Sequence, residues 1–422
     1  MAVKVLVVGS GGREHAMCRA LTTTPEVEIF TAPGNPGTAQ FGENVDVRAD
    51  DVAGLVALAR RARVDLVIPG PEAPLVAGLA DALAEAGIPC CGPSAAAARL
   101  EGSKAFTRML AQAAGIPSPD HRIVTSPTGI AAALAAFESP PVIKADGLAA
   151  GKGVFLPDTF DESAQVTRDL LAGSLGQAGA TVVMERRLAG IEASWFHACR
   201  GNEAITLPDA LDHKRLLDGG EGPNTGGMGA VSPNPDVDTR IDVPVRDQFV
   251  LPALERLTAD GTPFKGFLFS GMMLTEESPY LLEFNVRLGD PEAQVVLPRL
   301  PDGVFTEVCA WVAGLRANPP TFEFDRRHTC AVVLAADGYP GAPRRGDPIT
   351  LSPGLESEDR WFIHAGTRLD NGTLLTDGGR VGAVVARAES KEAARVAAYE
   401  GVSRVQWAGM THRSDIGVAL HG

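Results

Sequence analysis

The sequence predicts a multidomain protein with α/β and α+β parts, and three observations support this. The chain of 422 residues is too long for a single hydrophobic core. Its N-terminal quarter alternates continuous apolar runs with amphipathic segments, which is typical of a parallel sheet with helices on both faces. Its C-terminal quarter contains short apolar runs separated by turn residues, which predict the strands of a smaller α+β domain.

The N-terminal part, residues 1–102, is predicted to be the parallel α/β domain and to bind substrate. Its strands are expected at VKVLVVG, VEIFTAP and DLVIPGP, with helices from Arg13 and around residues 52–62. The first apolar run is short, lacks a small-residue cleavage site and leads directly into glycines. It is therefore interpreted as a buried strand and not as a signal peptide. No stretch has the unbroken apolar length of a membrane helix.

Two further domains are predicted. Residues 103–318 would form a central domain, with a subdomain at about 118–190 that contains the strands PPVIKAD and ATVVMER. The other half of this domain would contain the strands GFLFSGMML and YLLEFN. The proline-rich ANPPTFEFD predicts a boundary. Residues 325–422 would form the small C-terminal α+β domain, with strands in TCAVVLAA, PITLS, WFIHAGT and RVGAVVAR.

Composition argues against several classes of function. A formal charge of −14 disfavours a nucleic-acid surface, which needs basic groups to displace counterions. The six cysteines include no CxxC pair and have no histidine at a metal-ligand spacing. Reduced, buried thiols in a cytoplasmic protein are therefore expected.

The glycine loop GSGGREH, residues 9–15, follows the first strand and opens a helix. Backbone N–H groups and the helix dipole can hold an anion at such a place. A dinucleotide site is disfavoured, because Glu14 stands at the third glycine position and Thr31 and Ala32 end the second strand where an acid is needed. A phosphate or sugar-phosphate site fits better, and a tight turn without a ligand is the alternative.

The segment YLLEFNVRLGDPEAQ places a carboxylate and an amide on one face of a predicted strand. Glu283 and Asn285 are two residues apart, so their side chains leave the same face and could share Mg²⁺. Arg287 continues this face, and its planar fork suits a carboxylate or a phosphate. A polar edge strand is the alternative, but the flanking apolar residues favour a core strand.

Three lysines near glycine turns fit a triphosphate–Mg²⁺ site together with that pair. Lys144 lies on the buried strand VIKA, Lys104 opens a helix, and Lys152 belongs to the glycine-rich stretch DGLAAGKGV, residues 146–154. The glycine spacing of this stretch differs from that of the familiar phosphate loop. A single lysine would more usually be a solvated surface charge.

Two further segments carry less specific patterns. Glu185 and Glu192 bracket the exit of a strand, where a purine amino group and a ribose diol could be held. Residues 212–230 mix Asp, His, Lys, Arg and glycines without apolar periodicity, which predicts a long functional loop without secondary structure. His213 is a general-base candidate there, although a solvated loop histidine is equally typical of such a sequence.

Together these motifs resemble the glycinamide ribonucleotide synthetases, or phosphoribosylamine–glycine ligases, of the ATP-grasp superfamily. The family's motif order is followed by GSGGREHA, APGNPGTA, GPEAPL, LEGSKAF, VIKADGLAAGKGV, DHKR, GPNTGGMGA, EFNVRLGDPE and HAGT. The resemblance implies a parallel-sheet (Rossmann-like) N-terminal domain, a central ATP-grasp domain in two α+β halves, and a small C-terminal α+β domain. The implied reaction ligates glycine to 5-phosphoribosylamine through glycyl phosphate, with ATP and Mg²⁺ or Mn²⁺, in purine (IMP) synthesis.

The resemblance also implies partners and residue roles. It implies a cytoplasmic monomer with passing contacts to neighbouring pathway enzymes, no nucleic acid and no membrane. The stretch 146–154 would be a flap over the ATP phosphates. Implied metal ligands are Glu283 and Asn285, and implied catalytic residues are Arg287, Lys144 and Asp212. Implied ATP contacts are Lys104, Lys144, Gly151, Lys152, Gly153, Glu185, Leu188 and Glu192. Implied substrate contacts are Gly9, Gly11, Gly12, Arg13, Glu14, Gly70, Pro71, Glu72, Asp212, Lys214, Asn224, Thr225, Gly226, Gly227, Met228, Gly229, Arg287 and Asp290.

Three departures from the family pattern are visible. Arg186 and Arg187 replace a Glu and an aromatic residue in the adenine segment, which reads ERRL. Leu211 stands where a Gln usually precedes DHKR, and Val231 stands where a Tyr usually follows GGMGA. None of them removes a residue that the phosphate chemistry requires.

Two other functions are considered beside this one. An ATP-grasp ligase for a different acid is disfavoured by GSGGREH and GPNTGGMGA. A nucleotide-binding module without catalysis could lose Arg287 and Asn285, yet both are present beside Glu283.

Overall fold

A computed structural model of the chain describes residues 3–148, 153–237 and 242–418. The first elements form a four-stranded parallel sheet in the order β3-β2-β1-β4. They are β1 (Val3–Gly9), α1 (Gly12–Leu21), β2 (Val27–Pro33), β3 (Glu43–Asn44), α2 (Val52–Ala62), β4 (Leu66–Pro69), α3 (Glu72–Val76), α4 (Leu79–Glu85) and α5 (Ala95–Gly102).

Alternate residues of β1 enter two different cores, as a strand covered on both faces requires. Val5 and Val7 pack with Met17 of α1, whereas Leu6 packs on the other face with Leu55 of α2. All five side chains are fully buried. The predicted parallel sheet and the interpretation of the first apolar run as a buried strand are therefore confirmed.

The next elements form a small antiparallel sheet in the order β5-β8-β6-β7, packed against two helices. Its core consists of apolar residues from this part of the chain, including Ile143, Leu170 and Met184. The elements are α6 (Lys104–Ala113), β5 (His121–Val124), α7 (Ile130–Leu134), β6 (Val142–Ala145), β7 (Val154–Phe155), α8 (Phe160–Leu171) and β8 (Val182–Glu185).

A second antiparallel sheet, in the order β10-β9-β15-β16, follows. This part of the chain contains β9 (Ile191–Arg200), β10 (Glu203–Thr206), β11 (Leu211–Asp212), β12 (Arg215–Leu217), β13 (Glu221–Asn224), β14 (Gly229–Ser232), α9 (Asp242–Val245), α10 (Leu251–Ala259), β15 (Lys265–Leu274), β16 (Pro279–Asn285), α11 (Ala293–Val296) and α12 (Val304–Val312). The predicted core strand β16 lies at the edge of this sheet. Its outer side is nevertheless covered, because the N–H of Leu281 donates to the carbonyl of Pro117 at 2.9 Å.

The C-terminal elements complete a five-stranded antiparallel sheet in the order β11-β14-β17-β22-β19. They are β17 (His328–Ala335), β18 (Thr350–Leu351), β19 (Arg360–His364), β20 (Thr367–Asp370), β21 (Thr373–Thr376), β22 (Arg380–Ala388), α13 (Lys391–Val402) and β23 (Val405–Gln406). Because β11 and β14 precede the predicted boundary near residue 320, this sheet combines two segments that the sequence analysis assigns to different domains.

The prediction of a loop without secondary structure at 212–230 is wrong. Strands β12 and β13 pair as a hairpin within it, and Gly229 begins β14, which pairs with Val332 of β17. The partner strand lies about a hundred residues further along the chain. Local periodicity cannot report such a partner, because the ladder is formed by backbone groups.

One apolar core connects the N-terminal sheet with the two later sheets. It contains Val7 of β1, Phe269 of β15 and Val333 of β17, together with residues of α11 and α12. These sheets therefore form one packed body beside the small β5–β8 sheet. None of the helices in the described ranges combines the length and the apolar character needed to cross a membrane.

Candidate active site

A cleft of about 880 Å³ opens between the packed body and the small sheet. Its volume is typical of a small-molecule site. Predicted residues from distant parts of the chain line it together. They are Arg13, Pro71, Glu72, Lys104, Lys144, Gly153, Glu185, Leu188, Glu192, Asp212, Lys214, Asn224, Thr225, Gly226, Glu283, Asn285, Arg287 and Asp290.

One end of the cleft, the Glu185 end, is built around a buried carboxylate at the end of β8. Glu185 accepts hydrogen bonds from Arg108 Nε at 2.6 Å and from Lys144 Nζ at 2.7 Å. Burial by itself would raise the pKa of Glu185, but Lys144 and Arg108 lower it to about 2. Glu185 thus holds two cations in place, and its predicted contact with a purine amino group stays a prediction.

Lys104 and Asp146 lie together where α6 begins. The Asp146 carboxylate accepts hydrogen bonds from Ser103 Oγ at 3.0 Å and from a backbone N–H of the first turn at 2.9 Å, which caps the helix. Lys104 Nζ donates to the carbonyl of Gly147 at 3.3 Å. Burial lowers the pKa of Lys104, and the nearby Glu283 opposes this shift. Its ammonium is therefore directed toward the interior of the cleft.

The glycine-rich stretch 146–154 begins after β6 and returns in β7. The N–H of Ala145 donates to the carbonyl of Gly153 at 2.8 Å, which holds the two ends of the stretch together beside the cleft. The predicted phosphate contacts Gly151 and Lys152 lie outside the described residues. Their roles, and the flap itself, stay predictions.

Glu283 and Asn285, the predicted metal ligands, lie side by side on β16. The distance from Asn285 Nδ2 to Glu283 Oε1 is 3.4 Å, and the Asn285 oxygen accepts a hydrogen bond from Arg287 at 3.3 Å. Burial by itself would raise the pKa of Glu283, but the cleft lysines, Lys214 foremost, hold it below its usual value. Glu283 is therefore ionised at neutral pH, as a cation ligand must be.

This donor set fits a hard divalent cation that the protein holds only in part. In the described ranges, no group of three or more His, Cys, Asp or Glu side chains is placed to hold a metal ion. Mg²⁺ commonly takes one or two protein oxygens and completes its octahedron with phosphate oxygens and water. Glu283 and Asn285 supply such a pair once the Asn285 amide turns its oxygen toward Glu283.

Arg287 connects β16 with the N-terminal domain. Its Nη2 donates to Glu101 Oε1 at 2.6 Å, and its Nε donates to Glu72 Oε2 at 3.4 Å. Glu101 also accepts a hydrogen bond from the N–H of Val286 at 2.8 Å. The predicted residues Glu72 and Arg287 are therefore brought together, and Glu101 anchors the segment that carries Arg287.

The opposite end of the cleft, the Asp212 end, contains two buried carboxyl groups. Burial and the neighbouring Glu292 raise the pKa of Asp212 well above its usual value, and burial likewise raises the pKa of Glu292. Lys214 Nζ pairs with Glu192 Oε2 at 2.8 Å, and this partner raises the pKa of Lys214. Carboxyl groups with raised pKa can exchange a proton with a bound amine.

The glycine loop after β1 is filled by its own glutamate. Glu14 accepts hydrogen bonds from the N–H of Gly11 at 2.5 Å and from Arg13 Nε at 2.7 Å. A Cβ at Gly9 would lie 2.7 Å from the Glu14 side chain, and one at Gly70 would lie 1.9 Å from it. In the described structure a carboxylate of the protein itself therefore occupies the N-terminus of α1 at Gly11, and the predicted anion site stays a prediction.

Several predicted substrate contacts lie behind the cleft wall in the described structure. Met228 is 1% exposed and packs in the core of the C-terminal sheet, and Gly229 belongs to the β14–β17 ladder. Their predicted roles in direct contact are not supported. The other predicted contacts that are not among the residues lining the cleft are Gly9, Gly11, Gly12, Glu14, Gly70 and Gly227.

Leu211 and Val231, two departures from the family pattern, are direct cross-strand partners on β11 and β14. Both side chains are buried in the same core. The two departures therefore form a single apolar contact. Leu211 lines the cleft and Val231 does not, so this contact joins the cleft surface to the core of the C-terminal sheet.

The two arginines of the ERRL segment bind groups of the protein. Arg187 Nη2 donates to the carbonyl of Pro157 at 2.7 Å. The guanidinium of Arg186 lies 5.6 Å from the ring centre of Tyr280, which is within cation–π range. Together with Leu188 they line the Glu185 end.

His213 is fixed against the C-terminal segment. Its Nε2 accepts a hydrogen bond from the N–H of Gly417 at 3.1 Å, and the residue is only 1% exposed. Burial lowers the pKa of His213 to about 4. The basic nitrogen is thus engaged in a structural bond, which argues against the general-base role.

For some residues of the cleft, the sequence carries little or no local signal. Glu292 lies within the motif RLGDPEAQ, and the acidic residues of that motif could have indicated its place in the site. Arg108 gave no such signal, because its guanidinium binds Glu185 and the carbonyl of Leu281, which are 77 and 173 residues away. The further residues without a local signal are Glu101, Arg380 and Arg413.

Comparison with known proteins agrees with this geometry. Family models described as phosphoribosylglycinamide synthetase N domain, ATP-grasp (A) domain and C domain match residues 3–101, 102–293 and 329–419. The chain is 44% identical over 420 residues to a phosphoribosylamine–glycine ligase of Allochromatium vinosum, covering 98% of each chain. It is 43% identical over 424 residues to the ligase of Streptomyces coelicolor, covering 100% of both.

Solved structures show the same similarity. The crystal structure of a phosphoribosylamine–glycine ligase from Thermotoga maritima matches with a TM-score of 0.86 at 34% identity, covering 98% of this chain and all of that one. A biotin carboxylase domain from Hydrogenobacter thermophilus, in complex with MgADP and bicarbonate, matches with a TM-score of 0.76 at 15% identity. This second match covers 98% of this chain and 92% of that one, and it supports the fold alone.

Proposed function

This chain belongs to the phosphoribosylglycinamide synthetase family, and we propose on that premise that its cleft ligates glycine to 5-phosphoribosylamine with ATP. The products are glycinamide ribonucleotide, ADP and phosphate, in purine (IMP) synthesis. One observation carries the proposal. Both ends of one cleft carry charged groups of different kinds. The Glu185 end holds cations around the ionised Glu185 carboxylate, and the Asp212 end holds carboxyl groups that can be protonated.

The chemistry requires activation of a carboxylate. We propose that a glycine carboxylate oxygen attacks the γ-phosphorus of ATP, which releases ADP and forms glycyl phosphate. The amine of phosphoribosylamine then attacks the carbonyl carbon, the amide bond forms and phosphate leaves. We propose that the Asp212 carboxylate takes the proton that the attacking nitrogen loses. Lys104 and Lys144 bind phosphate oxygens, and Arg287 neutralises the charge that develops between the two ends.

The ATP-grasp fold implies ATP and a divalent metal, and we propose Mg²⁺ or Mn²⁺ at Glu283 and Asn285. When bound, such an ion neutralises charge on phosphate oxygens. The protein's part is to hold both ligand oxygens on one face of β16, close to Lys104 and Lys144.

Water would hydrolyse glycyl phosphate, so the cleft must close during the reaction. We propose that residues 146–154 act as the closing flap, since both ends of this stretch are fixed at the cleft. ATP with Mg²⁺ should then protect bonds in 146–154 from limited proteolysis. Equally rapid cleavage with and without nucleotide would contradict the flap.

Release of ADP tests the reaction directly. ADP should form at the full rate only when glycine and phosphoribosylamine are present together, and ribonucleotide should form in equal amount. Other small acids or amines, offered in place of either substrate, test for a different ATP-grasp ligase. Equal ADP release with another acid would overturn the assignment of glycine.

The remaining proposals follow from the family resemblance. We propose that the protein acts as a cytoplasmic monomer with passing contacts to neighbouring pathway enzymes. The predicted domain boundaries at 102, 318 and 325 also stay proposals. Light scattering of the purified chain tests the monomer.

A further inference from the structure

The C-terminal domain contacts the cleft through Arg380, the first residue of β22. Arg380 Nη1 donates to the carbonyl of Asp290 at 2.5 Å and to the carbonyl of Gly226, and its Nη2 lies 3.3 Å from Asp290 Oδ2. Tyr339, from the same domain, accepts a hydrogen bond at Oη from the N–H of Gly226 at 3.0 Å. Both backbone groups of Gly226 are therefore bonded to C-terminal side chains.

The surroundings of Arg380 differ from those of other arginines in its domain. Its side chain is 22% exposed and lines the cleft, whereas Arg368 is 42% exposed and pairs with Asp370 on the surface. Burial would lower the pKa of Arg380, but Asp290, Tyr339, Asp212 and Glu292 raise it. The guanidinium is thus the counter-charge of Asp290, whose pKa it lowers, and it lies close to Asp212 and Glu292.

The loop that Arg380 holds packs directly on Asp212. A Cβ built on Gly227 would lie 2.6 Å from Asp212 Oδ1 and 2.4 Å from Pro291 Cδ, so the backbone of 226–227 is in close contact with both. A Cβ on Gly226 would lie 3.0 Å from Arg380 Cζ. A shift of Arg380 therefore moves the wall against which Asp212 rests.

We propose that Arg380 is a positioning residue for ligation: it fixes loop 225–227 to Asp290 and thereby places the attacking amine beside Asp212. Arg380 acts through these neighbours and takes no part in the bond changes. Tyr339 supports the same loop from its N–H side. The identity of the amine as phosphoribosylamine rests on the proposed function, but the fixing of the loop does not.

Removal of the guanidinium from the full-length enzyme tests the proposal. In Arg380→Ala, kcat should fall about 100-fold, since a misplacement of about 1 Å has such an effect. KM for phosphoribosylamine should rise about tenfold, because the released loop no longer orients the bound amine, while KM for ATP stays unchanged because Arg380 contacts only the Asp212 end. Millimolar guanidinium should restore part of kcat, which loss of a merely structural support would not allow.

Three further variants should change the kinetics less than Arg380→Ala does. Arg380→Lys should be intermediate, because an ammonium cannot reproduce the planar fork. Tyr339→Phe should change KM for phosphoribosylamine a few-fold in the same direction, since one neutral hydrogen bond is lost. Arg368→Ala is the matched control and should behave as the wild type.

The proposal fails if Arg380→Ala matches Arg368→Ala, or if KM for ATP and for phosphoribosylamine change equally without rescue by guanidinium. Hydrogen exchange of the free protein supplies a readout that is independent of turnover. Amides of residues 222–229 should exchange faster in Arg380→Ala than in Arg368→Ala, and equal exchange would overturn the positioning role. If the wild type releases no ADP with glycine and phosphoribosylamine, the proposed function fails, while hydrogen exchange still decides whether Arg380 fixes the loop.

Discussion

The two ends of the cleft are held in place by different forces. The Glu185 end belongs to a small sheet whose core is made of its own residues, such as Ile143, Leu170 and Met184. The Asp212 end lies on the packed body, where one core runs from Val7 of β1 to Val333 of β17. The small sheet is tied to the body by the buried cations around Glu185, and the three body sheets are joined by apolar packing.

This difference explains how one end of the cleft can move while the other end keeps a fixed geometry. A few charged contacts are directional, and they can be broken without exposing a large apolar surface. A continuous core is rigid, because its side chains are closely packed. The Glu185 end can therefore open as a unit while the Asp212 end keeps its geometry.

Glu283→Gln should lower turnover strongly and have the largest effect of these variants, because β16 lies where the two ends of the cleft meet. Loss of the negative charge removes a metal ligand and leaves the cleft lysines without their shared counter-charge, so turnover should fall about 1,000-fold. The melting temperature should stay close to that of the wild type. ADP release at saturating Mg²⁺ measures the loss, with Glu276→Gln on the exposed turn before β16 as control. Wild-type activity of Glu283→Gln would remove the metal assignment.

Glu185→Gln should break the charged tie of the small sheet. Removal of this carboxylate leaves the buried Arg108 and Lys144 with backbone carbonyls but without their counter-charge, so the small sheet should lose about 3–5 kcal/mol of stability. Hydrogen exchange should locate this loss in residues 121–185. The half-exposed pair of Glu192 with Lys214 is the matched control, and Glu192→Gln should change the free energy of unfolding by no more than about 1 kcal/mol. Equal acceleration of exchange in β1 and β17 would show that the two regions unfold as one.

Acid should weaken the two regions in different pH ranges. Burial lowers the pKa of His15, a residue of α1 that bonds to β19, from 6.5 to about 3. The stability from neutral His15 is complete above pH 6.5 and is lost as the pH falls toward 3. Glu185 has its pKa lowered from 4.5 to about 2, so its contribution is complete above pH 4.5 and is lost between 4.5 and 2. The packed body should therefore weaken first.

Urea unfolding between pH 8 and pH 4 measures this order. His15 Nδ1 accepts the N–H of His364 at 2.8 Å, and a glutamine oxygen can replace that acceptor. His15→Gln should thus reduce the loss of stability below pH 6.5 without removing it, because burial also lowers the pKa of His197, His213 and His364. The exposed His412→Gln is the control and should leave the loss at its wild-type size. A pH dependence that begins only below 4.5 in the wild type would contradict the assignment to His15.

Removal of a helix cap should have the smallest effect on stability, and two caps lie in different regions of the molecule. Thr159 Oγ accepts the N–H of Glu162 at 3.1 Å at the start of α8, and Ser390 Oγ accepts the N–H of Ala393 at 3.2 Å at the start of α13. Thr159→Ala and Ser390→Ala should each cost about 1 kcal/mol. Hydrogen exchange should increase in the small sheet for the first and in the C-terminal sheet for the second. Increases in both sheets for either variant would show that the two regions are coupled.

Local patterns in the sequence predicted much of the fold. The predicted helix at 52–62 and the predicted strands VKVLVVG and GFLFSGMML are present as α2, β1 and β15. Apolar periodicity and glycine turns report these elements, since both act within a few residues. The pair Glu283 and Asn285 was predicted for the same reason, because strand geometry places residues i and i+2 on one face.

Tertiary structure alone decided the rest. Within 212–230, β14 pairs with β17 and Gly226 accepts a hydrogen bond from Arg380, and Glu185 pairs with Arg108, which lies 77 residues away. A buried charge is stable only beside its partner, and packing of distant segments brings that partner close. The sequence by itself therefore determined the strands and helices that rest on local patterns, and the placement of Glu283 and Asn285 on one face of a strand. The packing of the small sheet against the packed body decides which carboxylates pair with cations of the protein and which face the cleft.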